Sequence, residues 1–442
     1  MENTARQTAL TVLRRCRRDR AFSDAMLNSV LAESALSAKD RALVSQLCYG
    51  VLQNAILCDY YIDSFSGGKK IEPKLRDILR LSVYQILFLD KIPDHAAVNE
   101  GVELCKRSGL GRASGFANAV LHRAAENKNN LPQIPEDDRI KYLSIKYSTP
   151  AALVEKLFSD FGESFTEELL KSNNELSPTT IQVNTLRIGA EELFERLSAR
   201  GFGCRAHSFL SDCAEVSGGD LAVSEEFREG LFYVQDPAAR LAVIAASPIS
   251  GSAVLDACAA PGGKSFASAI LMQNDGKIIS CDIHKNKLGL ISDGAKRLGI
   301  DIITTGEMDA LHPDDSLIAS CDTVIADVPC SGLGIIRKKP DIRYKELSET
   351  EKLPETQLAI LEGLAPCVKA GGVLLYSTCT ILRRENEDVI SAFLEKHGEF
   401  KPESFSLPEP IAAVESGMIT LFPHIHGTDG FFICKLRKWH EN

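Results

Sequence analysis

The residues of this 442-residue chain best suited to chemistry fall in three short stretches. The first is Asp256-Ala257-Cys258-Ala259-Ala260-Pro261-Gly262-Gly263-Lys264-Ser265, entered from Val254-Leu255 and followed by Phe266, Ile270 and Leu271. It reads as an apolar strand, a turn of small residues and a helix. Glycines allow close backbone approach, and the start of a helix offers unpaired N–H groups, so this geometry suits a nucleotide-type cofactor. The turn is not GxGxxG. It keeps Gly263-Lys264-Ser265 but lacks the first glycine of a Walker A loop, so on the turn alone a phosphate loop stays open. The other two stretches are Asp327-Val328-Pro329-Cys330-Ser331-Gly332 and Thr378-Cys379-Thr380. Each follows a short apolar run, residues 323–326 and 373–377, with strand character. Most cysteines are small buried hydrophobes. Parallel strands, however, carry functional residues at their carboxyl ends, which singles out Cys330 and Cys379 among thirteen cysteines.

The surrounding elements must aim these residues. Residues 277–281 read as a strand ending in Asp282, about 20 residues beyond the glycines, where an acid accepts hydrogen bonds from a ribose diol. Residues 302–305 read as a third strand leading to Asp309, placed to meet an adenine edge. An isolated aspartate most often caps a helix or a turn. At successive strand ends the two line one crevice of an open α/β sheet, which decides for the cofactor reading over the phosphate loop. From residue 236 onward the pattern is repeated βαβ. Upstream, residues 1–130 read as all-helical: Ala9, Val12, Leu13 and Cys16, then Leu43, Leu47, Val51 and Leu52, recur at helical spacing. Leu75, Ile78, Leu79, Val83, Ile86 and Leu87 form another stripe, and breaks fall at Ser66-Gly67-Gly68 and Ile92-Pro93-Asp94. Leu131-Pro132-Gln133-Ile134-Pro135 reads as a linker. A helix at Ala151–Phe161, a strand at Thr179–Val183, a helix at Ala190–Ala199 and short strands to residue 234 suggest a small ferredoxin-like or RRM-like module. The expected fold is therefore multidomain α plus α/β: residues 1–135 helical, 136–235 the small module, and 236–442 Rossmann-like.

Composition is that of a globular protein, 44% hydrophobic and 25% charged, which excludes disordered and collagen-like classes. The net charge of −10 argues against a polyanion partner. Its distribution removes that objection. Residues 1–135 hold 19 Lys and Arg against 14 Asp and Glu, a net of +5, and the remainder holds 31 against 46, a net of −15. The surplus concentrates in Arg6, Arg14, Arg15, Arg17, Arg18 and Arg20, a cluster as well read as a solvated helix face. No cysteines are spaced as CxxC, their number is odd and the chain is long, so zinc ribbons and secreted disulfide frameworks are disfavoured. His424 and His426 have no further ligand at metal spacing and read as loop or strand residues. With no run of 18 apolar residues and no apolar leader, a soluble cytoplasmic location is expected.

The cofactor run, the Asp-Val-Pro-Cys-Ser-Gly turn and the Ser-Thr-Cys-Thr turn together resemble the RNA cytosine-5 methyltransferases. Within them the chain is most similar to the bacterial 16S ribosomal RNA enzymes of the Sun/Fmu type, subfamily B. Phe116-Ala117-Asn118-Ala119-Val120-Leu121-His122-Arg123 resembles the NusB-like signature of that subfamily, with His122 where an arginine is expected. Arg337-Lys338-Lys339-Pro340-Asp341-Ile342-Arg343-Tyr344 resembles its basic loop. The resemblance implies a NusB-like helical domain and a class I S-adenosylmethionine-dependent catalytic domain. It implies that Cys258, Ala259, Ala260, Pro261, Gly262, Gly263 and Lys264 form the S-adenosylmethionine loop, with Asp282 on the ribose and Asp309 near the adenine. Asp327 would lie beside both the methyl donor and the target base. Cys379 would be the nucleophile and Cys330 the cysteine that assists product release.

That chemistry makes sense of the residue types. Cytosine C5 is a poor nucleophile until a thiolate adds to C6, which splits one hard step into two. Charge left on the ring is relieved by a proton at N3, for which Asp327 is the candidate acid. Lys264 would anchor either the turn or Asp327. The target base must leave its stack, so a grip on flanking RNA is expected from Arg337, Lys338, Lys339, Arg343 and the Arg14–Arg20 cluster. The expected partner is 16S ribosomal RNA, free or partly assembled, with no metal, no membrane and no obligate protein partner. Two rivals remain: a cytosine-5 methyltransferase of transfer RNA, and a non-catalytic RNA-binding assembly factor. The paired cysteines speak against the second.

Overall fold

The computed structural model describes residues 4–19 and 23–439. Its contacts divide the chain into two units, one of residues 1–175 with 336–347 and one of residues 176–335 with 348–442. The first unit is helical: α1 (Ala5–Asp19), α2 (Ser23–Ala32), α3 (Ala38–Gln53), α4 (Ala55–Ser66), α5 (Pro73–Phe88), α6 (Asp94–Arg107), α7 (Ser114–Glu126), α8 (Arg139–Lys146), α9 (Ala151–Phe161) and α10 (Glu163–Ser172). The apolar stripes read from sequence form its core. Ala9, Val12, Leu13 and Cys16 of α1 and Leu47 and Val51 of α3 are buried. α5 is buried over most of its surface, with Leu75, Ile78, Leu79, Leu81, Val83 and Ile86 buried beside the polar Asp77, Ser82 and Gln85, as suits a helix at the centre of a bundle. α6 crosses it at Gly101, where a Cβ would lie 2.4 Å from Ser82 Oγ. The helix α4 stops at the Ser66-Gly67-Gly68 break because Gly67 takes the left-handed conformation.

Residues 136–175, grouped above with the small module, fall with the helical unit. Leu143 and Ile145 of α8 are buried, and the Ile56 N–H of α4 donates to Ser148 Oγ at 2.8 Å.

Several arginines expected to grip RNA are engaged within this unit. Arg17 pairs with the buried Asp77 at 2.8 Å and Arg14 with the same carboxylate at 3.8 Å. Arg14 also donates to Lys74 O, and Arg6 to Gln85 Oε1. Arg20 lies outside the described residues. The largest correction concerns Arg343, which is 1% exposed. Its guanidinium donates to Gln53 O and Tyr147 O at 3.1 Å, Ser148 O at 3.3 Å, Asn174 Oδ1 at 2.9 Å and Asn173 O at 3.4 Å. Next to it, Tyr344 OH donates to Leu52 O at 2.7 Å, and Lys339 pairs with Asp24 at 3.1 Å. The sequence showed a basic run; the structure shows that Arg343 satisfies carbonyls left over at the ends of α3, α8 and α10. Arg343→Ala is expected to leave these acceptors buried and unpaired, costing about 3 kcal/mol. Calorimetry should show the helical unit melting roughly 6–12 °C lower.

The second unit opens with a small antiparallel sheet built from β1 (Thr179–Val183), α11 (Ala190–Ala199), β2 (Gly203–Ala206), β3 (Cys213–Ser217), α12 (Glu225–Arg228) and β4 (Phe232–Val234), in the order β2-β3-β1-β4. Ile181, Val183, Leu193, Leu197, Val216 and Phe232 fill its core. The chain continues through α13 (Pro237–Ala246), β5 (Ala253–Asp256), α14 (Gly263–Leu271), β6 (Lys277–Asp282), α15 (Lys285–Leu298), β7 (Ile303–Glu307), β8 (Cys321–Asp327), α16 (Leu353–Leu364), β9 (Val368–Thr378) and α17 (Glu387–Lys396). It ends with β10 (Phe400–Pro402), β11 (Phe405–Ser406), β12 (Ala413–Val414), β13 (Met418–Leu421), α18 (Pro423–His426) and β14 (Phe431–Lys438). The large sheet runs β10-β14-β9-β8-β5-β6-β7, with β13 also on β14. β5 to β9 pair in parallel, and β14 lies antiparallel to β9. The strand order reverses about β5, whose neighbours are β6 and β8. At such a switch point the loops diverge and leave a crevice outside the strand ends.

Candidate active site

Every residue singled out in the large sheet sits at the carboxyl end of a strand. β5 ends in Asp256, which is buried; burial pushes its carboxyl up to about 6 despite the hydroxyl of Ser265 donating to Oδ2 at 2.6 Å. Its Oδ1 is buried without a hydrogen-bond partner. The turn 257–262 closes with Gly262 at φ +111°, where a side chain would run into the Phe266 ring at 2.6 Å. A Cβ on Gly263 would meet Gln235 Nε2 at 2.8 Å. Within the turn, the Ala259 N–H donates to Cys281 O at 2.7 Å, which sets the loop against the end of β6. Cys258 is held as a neutral thiol by burial, which pushes it well above the usual thiol range.

Asp282 ends β6 and is buried; its Oδ1 accepts the His284 N–H at 2.9 Å. Asp309 follows β7, half-exposed. The Leu311 N–H at 3.0 Å, then His312, hold its carboxyl below the usual carboxylate range. Both aspartates thus do the ordinary work of turn residues. The Met308 N–H donates to Asp282 O at 3.3 Å, so the two turns adjoin.

The adjacent parallel strands β8 and β9 bring the remaining residues together. Asp327 lies opposite Ser377 in the register. The Ser377 hydroxyl donates to its Oδ1 at 2.8 Å and Lys264 Nζ to its Oδ2 at 2.6 Å. Lys264 reaches from the first turn of α14 to Asp327, so of the two anchoring roles expected for it the structure shows this one. Asp327 is accordingly half of an ion pair rather than a lone acid. The Lys264 ammonium also stands 5.0 Å from the Phe431 ring centroid. Beyond the strand ends, Cys330 and Cys379 meet with their sulfurs 3.3 Å apart. The Gly334 N–H donates to Cys379 O at 2.9 Å and Gly334 O accepts from Gly430 at 2.8 Å. Gly334 is confined there, since a Cβ would fall 1.9 Å from Gly430 O. Cys330 is pushed well above the usual thiol range, first by its hydrogen bond with Cys379 and then by burial. The two cysteines are thus in hydrogen-bond contact, with Cys330 the one held protonated.

Sequence reasoning missed the supports of this pair. Ser331 Oγ and Thr380 Oγ1 are 2.8 Å apart, Thr378 Oγ1 donates to Asn386 Oδ1 at 2.6 Å, and Asn386 Nδ2 donates to Thr380 O at 3.1 Å. Glu385 and Gln357, both fully buried, hold the Cys330 turn. Asn386 and Glu385 lie in the run Arg383-Arg384-Glu385-Asn386-Glu387, whose composition signals a solvated surface. The histidines at 424 and 426 form no metal site: among the described residues no group of three or more metal-ligating side chains occurs. His426 Nδ1 instead accepts the Phe422 N–H at 2.9 Å.

Comparison with known proteins places the chain among relatives. The family model for the 16S rRNA methyltransferase RsmB/F matches residues 243–437. The NusB family model matches residues 3–126, and that of the ferredoxin-like domain of RsmF/B-like methyltransferases matches 149–219. The chain is similar over 99% of both lengths, at 37% identity, to a Bacillus subtilis (strain 168) protein named probable ribosomal RNA small subunit methyltransferase B. The chain belongs to the ribosomal RNA small subunit methyltransferase B family. A Shewanella oneidensis protein named ribosomal RNA small subunit methyltransferase B is 30% identical over 91% of this chain and 92% of its own. A crystal structure of a methyltransferase homolog protein from Pyrococcus horikoshii covers 68% of this chain and 99% of its own, at 27% identity and a TM-score of 0.59.

Members of this family use S-adenosylmethionine, and the residues here fit it. The turn 257–263 is too tight for side chains at Gly262 and Gly263. Asp282 keeps Oδ2 for a diol, and the unpartnered Asp256 Oδ1 lies at the head of the crevice.

Proposed function

We propose that this chain transfers a methyl group from S-adenosylmethionine to C5 of a cytosine in small-subunit (16S) ribosomal RNA, through a covalent bond between Cys379 and C6. The observation that carries the reading is the pair of cysteine sulfurs 3.3 Å apart beside an Asp–Lys ion pair, at the ends of two adjacent parallel strands. A methyltransferase acting at oxygen or at an exocyclic nitrogen needs no thiol nucleophile, let alone two.

In this reading the turn Cys258–Lys264, Asp282, Asp309 and Asp327 hold the methyl donor. When bound, the donor supplies an electrophilic methyl sulfonium. The Cys379 thiolate adds to C6, forming a C–S bond and moving electron density through the ring to C5 and N3. Asp327 faces the N3–N4 edge of the flipped base, and the proton taken up at N3 comes from the Asp327–Lys264 pair rather than from a lone raised-pKa acid. After methylation the C5 proton passes to solvent water, the C5=C6 bond re-forms as the C6–S bond breaks with its electron pair returning to Cys379, and the N3 proton goes back to the Asp327–Lys264 pair. Cys330 assists that release from 3.3 Å away. Positions 1–135 and the segment 336–347 contribute the grip on RNA, apart from Arg343, which is buried among backbone carbonyls. The substrate is free or partly assembled ribosomal RNA, no protein partner is required, and the setting is cytoplasmic. No helix among the described residues is long and apolar enough to cross a membrane.

Nucleoside analysis of small-subunit RNA after incubation with the protein tests this directly: 5-methylcytidine is expected in that RNA and not in transfer RNA. Methyl incorporation into transfer RNA alone would replace the substrate, and no incorporation would favour the assembly-factor rival. A second expectation concerns the donor. Asp282→Ala should weaken S-adenosylmethionine binding about tenfold, the worth of a charge-assisted hydrogen bond. Calorimetric titration reads this without any RNA present.

A further inference from the structure

Gln235 is buried, 9% exposed, and the mechanism above gives its side chain no task. It follows β4 and precedes Asp236, whose carboxylate caps α13 by accepting the Ala238 N–H at 2.8 Å. β1 holds the Gln235 backbone at both polar groups. Its N–H donates to Thr180 O at 3.2 Å, and its carbonyl accepts Thr180 Oγ1 at 2.8 Å and Gln182 Nε2 at 3.3 Å. The backbone is thus fixed, and the side chain lies against the cofactor turn. Nε2 is 2.8 Å from where a Cβ on Gly263 would stand, and Gly263 is the first residue of α14. The amide itself is unused. Oε1 is buried with no hydrogen-bond partner, and Nε2 makes no hydrogen bond among the described residues. A buried polar group left unpaired is costly, and a bound group that completes it removes the cost.

The adjoining helix end has a matching need. No side chain caps α14, whose N-cap is Gly262. The Phe266 N–H is bonded to Gly262 O at 2.9 Å, so the N–H groups of Gly263, Lys264 and Ser265 are those the helix leaves over. Such an end favours a carboxylate. The lysine of this turn, Lys264, is taken by Asp327 at 2.6 Å. S-adenosylmethionine ends in an α-carboxylate, which only accepts hydrogen bonds, and an α-ammonium, which only donates them. A glutamine amide offers one group of each kind. We propose that Gln235 holds the amino-acid end of the methyl donor, Nε2 donating to the α-carboxylate at the N-terminus of α14 and Oε1 accepting from the α-ammonium. Asp282 serves the ribose, so the two residues grip the donor on either side of its sulfonium. The strand that closes the small module thereby delivers a cofactor-binding residue.

The inference rests on S-adenosylmethionine as the donor and not on the cytosine-5 assignment. Its test uses the full-length protein and no RNA. Two probes share adenosine and sulfur: S-adenosylhomocysteine, which has the amino-acid end, and 5′-methylthioadenosine, which lacks it. Calorimetry reads the first and ligand-observed NMR the second. Gln235→Met is expected to weaken S-adenosylhomocysteine binding about 10- to 100-fold, the worth of hydrogen bonds to charged groups. The same variant should bind 5′-methylthioadenosine as the unsubstituted protein does. Gln235→Ala should show the same selective loss, and it decides the matter if the methionine variant fails to fold. Equal weakening of both probes would overturn the proposal, since Gln235 would then only shape the turn. Unchanged affinity for S-adenosylhomocysteine would overturn it too, as would failure of both variants to fold. An unsubstituted protein that binds neither probe would instead contradict the donor itself.

Discussion

Cys379→Ala is expected to lose methyl transfer by roughly 10⁴-fold or more, the scale seen when a covalent nucleophile is removed. Cys330→Ala is expected to fail differently. It should still attack C6 and methylate C5, then release the product slowly, so that protein and RNA remain joined. The geometry underlies the contrast. The sulfurs stand 3.3 Å apart, yet Cys330 is held protonated by its bond to Cys379 and by burial. A protonated thiol is a poor nucleophile and a serviceable proton donor. Denaturing gels read the result: a slow-migrating protein–RNA species with Cys330→Ala, none with Cys379→Ala, and none in the double variant. Full activity in Cys379→Ala would move the nucleophile elsewhere.

The second large effect belongs to Asp327. It gathers the Lys264 ammonium at 2.6 Å and the Ser377 hydroxyl at 2.8 Å, and Lys264 is itself almost fully buried. Asp327→Asn should lower the single-turnover methylation rate by about 10²- to 10⁴-fold, the usual worth of a positioned proton-transfer group. It also strands the Lys264 charge, which on its own would depress stability. The two consequences separate in the variant Lys264→Met with Asp327→Asn. Replacing a buried ion pair by neutral groups is often thermally neutral, so this variant should melt close to the unsubstituted protein and remain slow. A double variant that regains the rate would show Asp327 to matter only for stability.

Much of this site was legible in the sequence because chemistry and topology coincide there. An apolar run followed by Asp282, or by Asp327-Val328-Pro329-Cys330, declares a strand and its functional end together, and the parallel register of β8 and β9 puts Cys330 beside Cys379. The core stripes of α1, α3 and α5 were legible for a similar reason, since helical spacing of apolar residues is read directly. What escaped is what burial does to polar residues. Arg343 sits in a run with two lysines and an arginine, a pattern that normally marks a solvated surface, and only the folded chain shows five acceptors converging on it. Glu385 is hidden in the same way among Arg383, Arg384 and Glu387. Asp77, on α5, gave no sign that it would bind two arginines of α1. Partners distant in sequence decide these cases, and no local pattern records them. The border near residue 135 was drawn from a proline-containing stretch; contacts group residues 136–175 with the helices, whereas the NusB family match ends at 126 and the ferredoxin-like match begins at 149.

The central claim is that Cys379 forms a bond to cytosine C6 during methyl transfer. The direct measurement incubates Cys330→Ala with S-adenosylmethionine and small-subunit ribosomal RNA, digests both polymers and sequences the nucleotide-bearing peptide by mass spectrometry. The expected product is a peptide carrying a C5-methylated cytidine on Cys379. An adduct on any other residue, or methylated RNA formed by this variant with no adduct at all, would contradict the account.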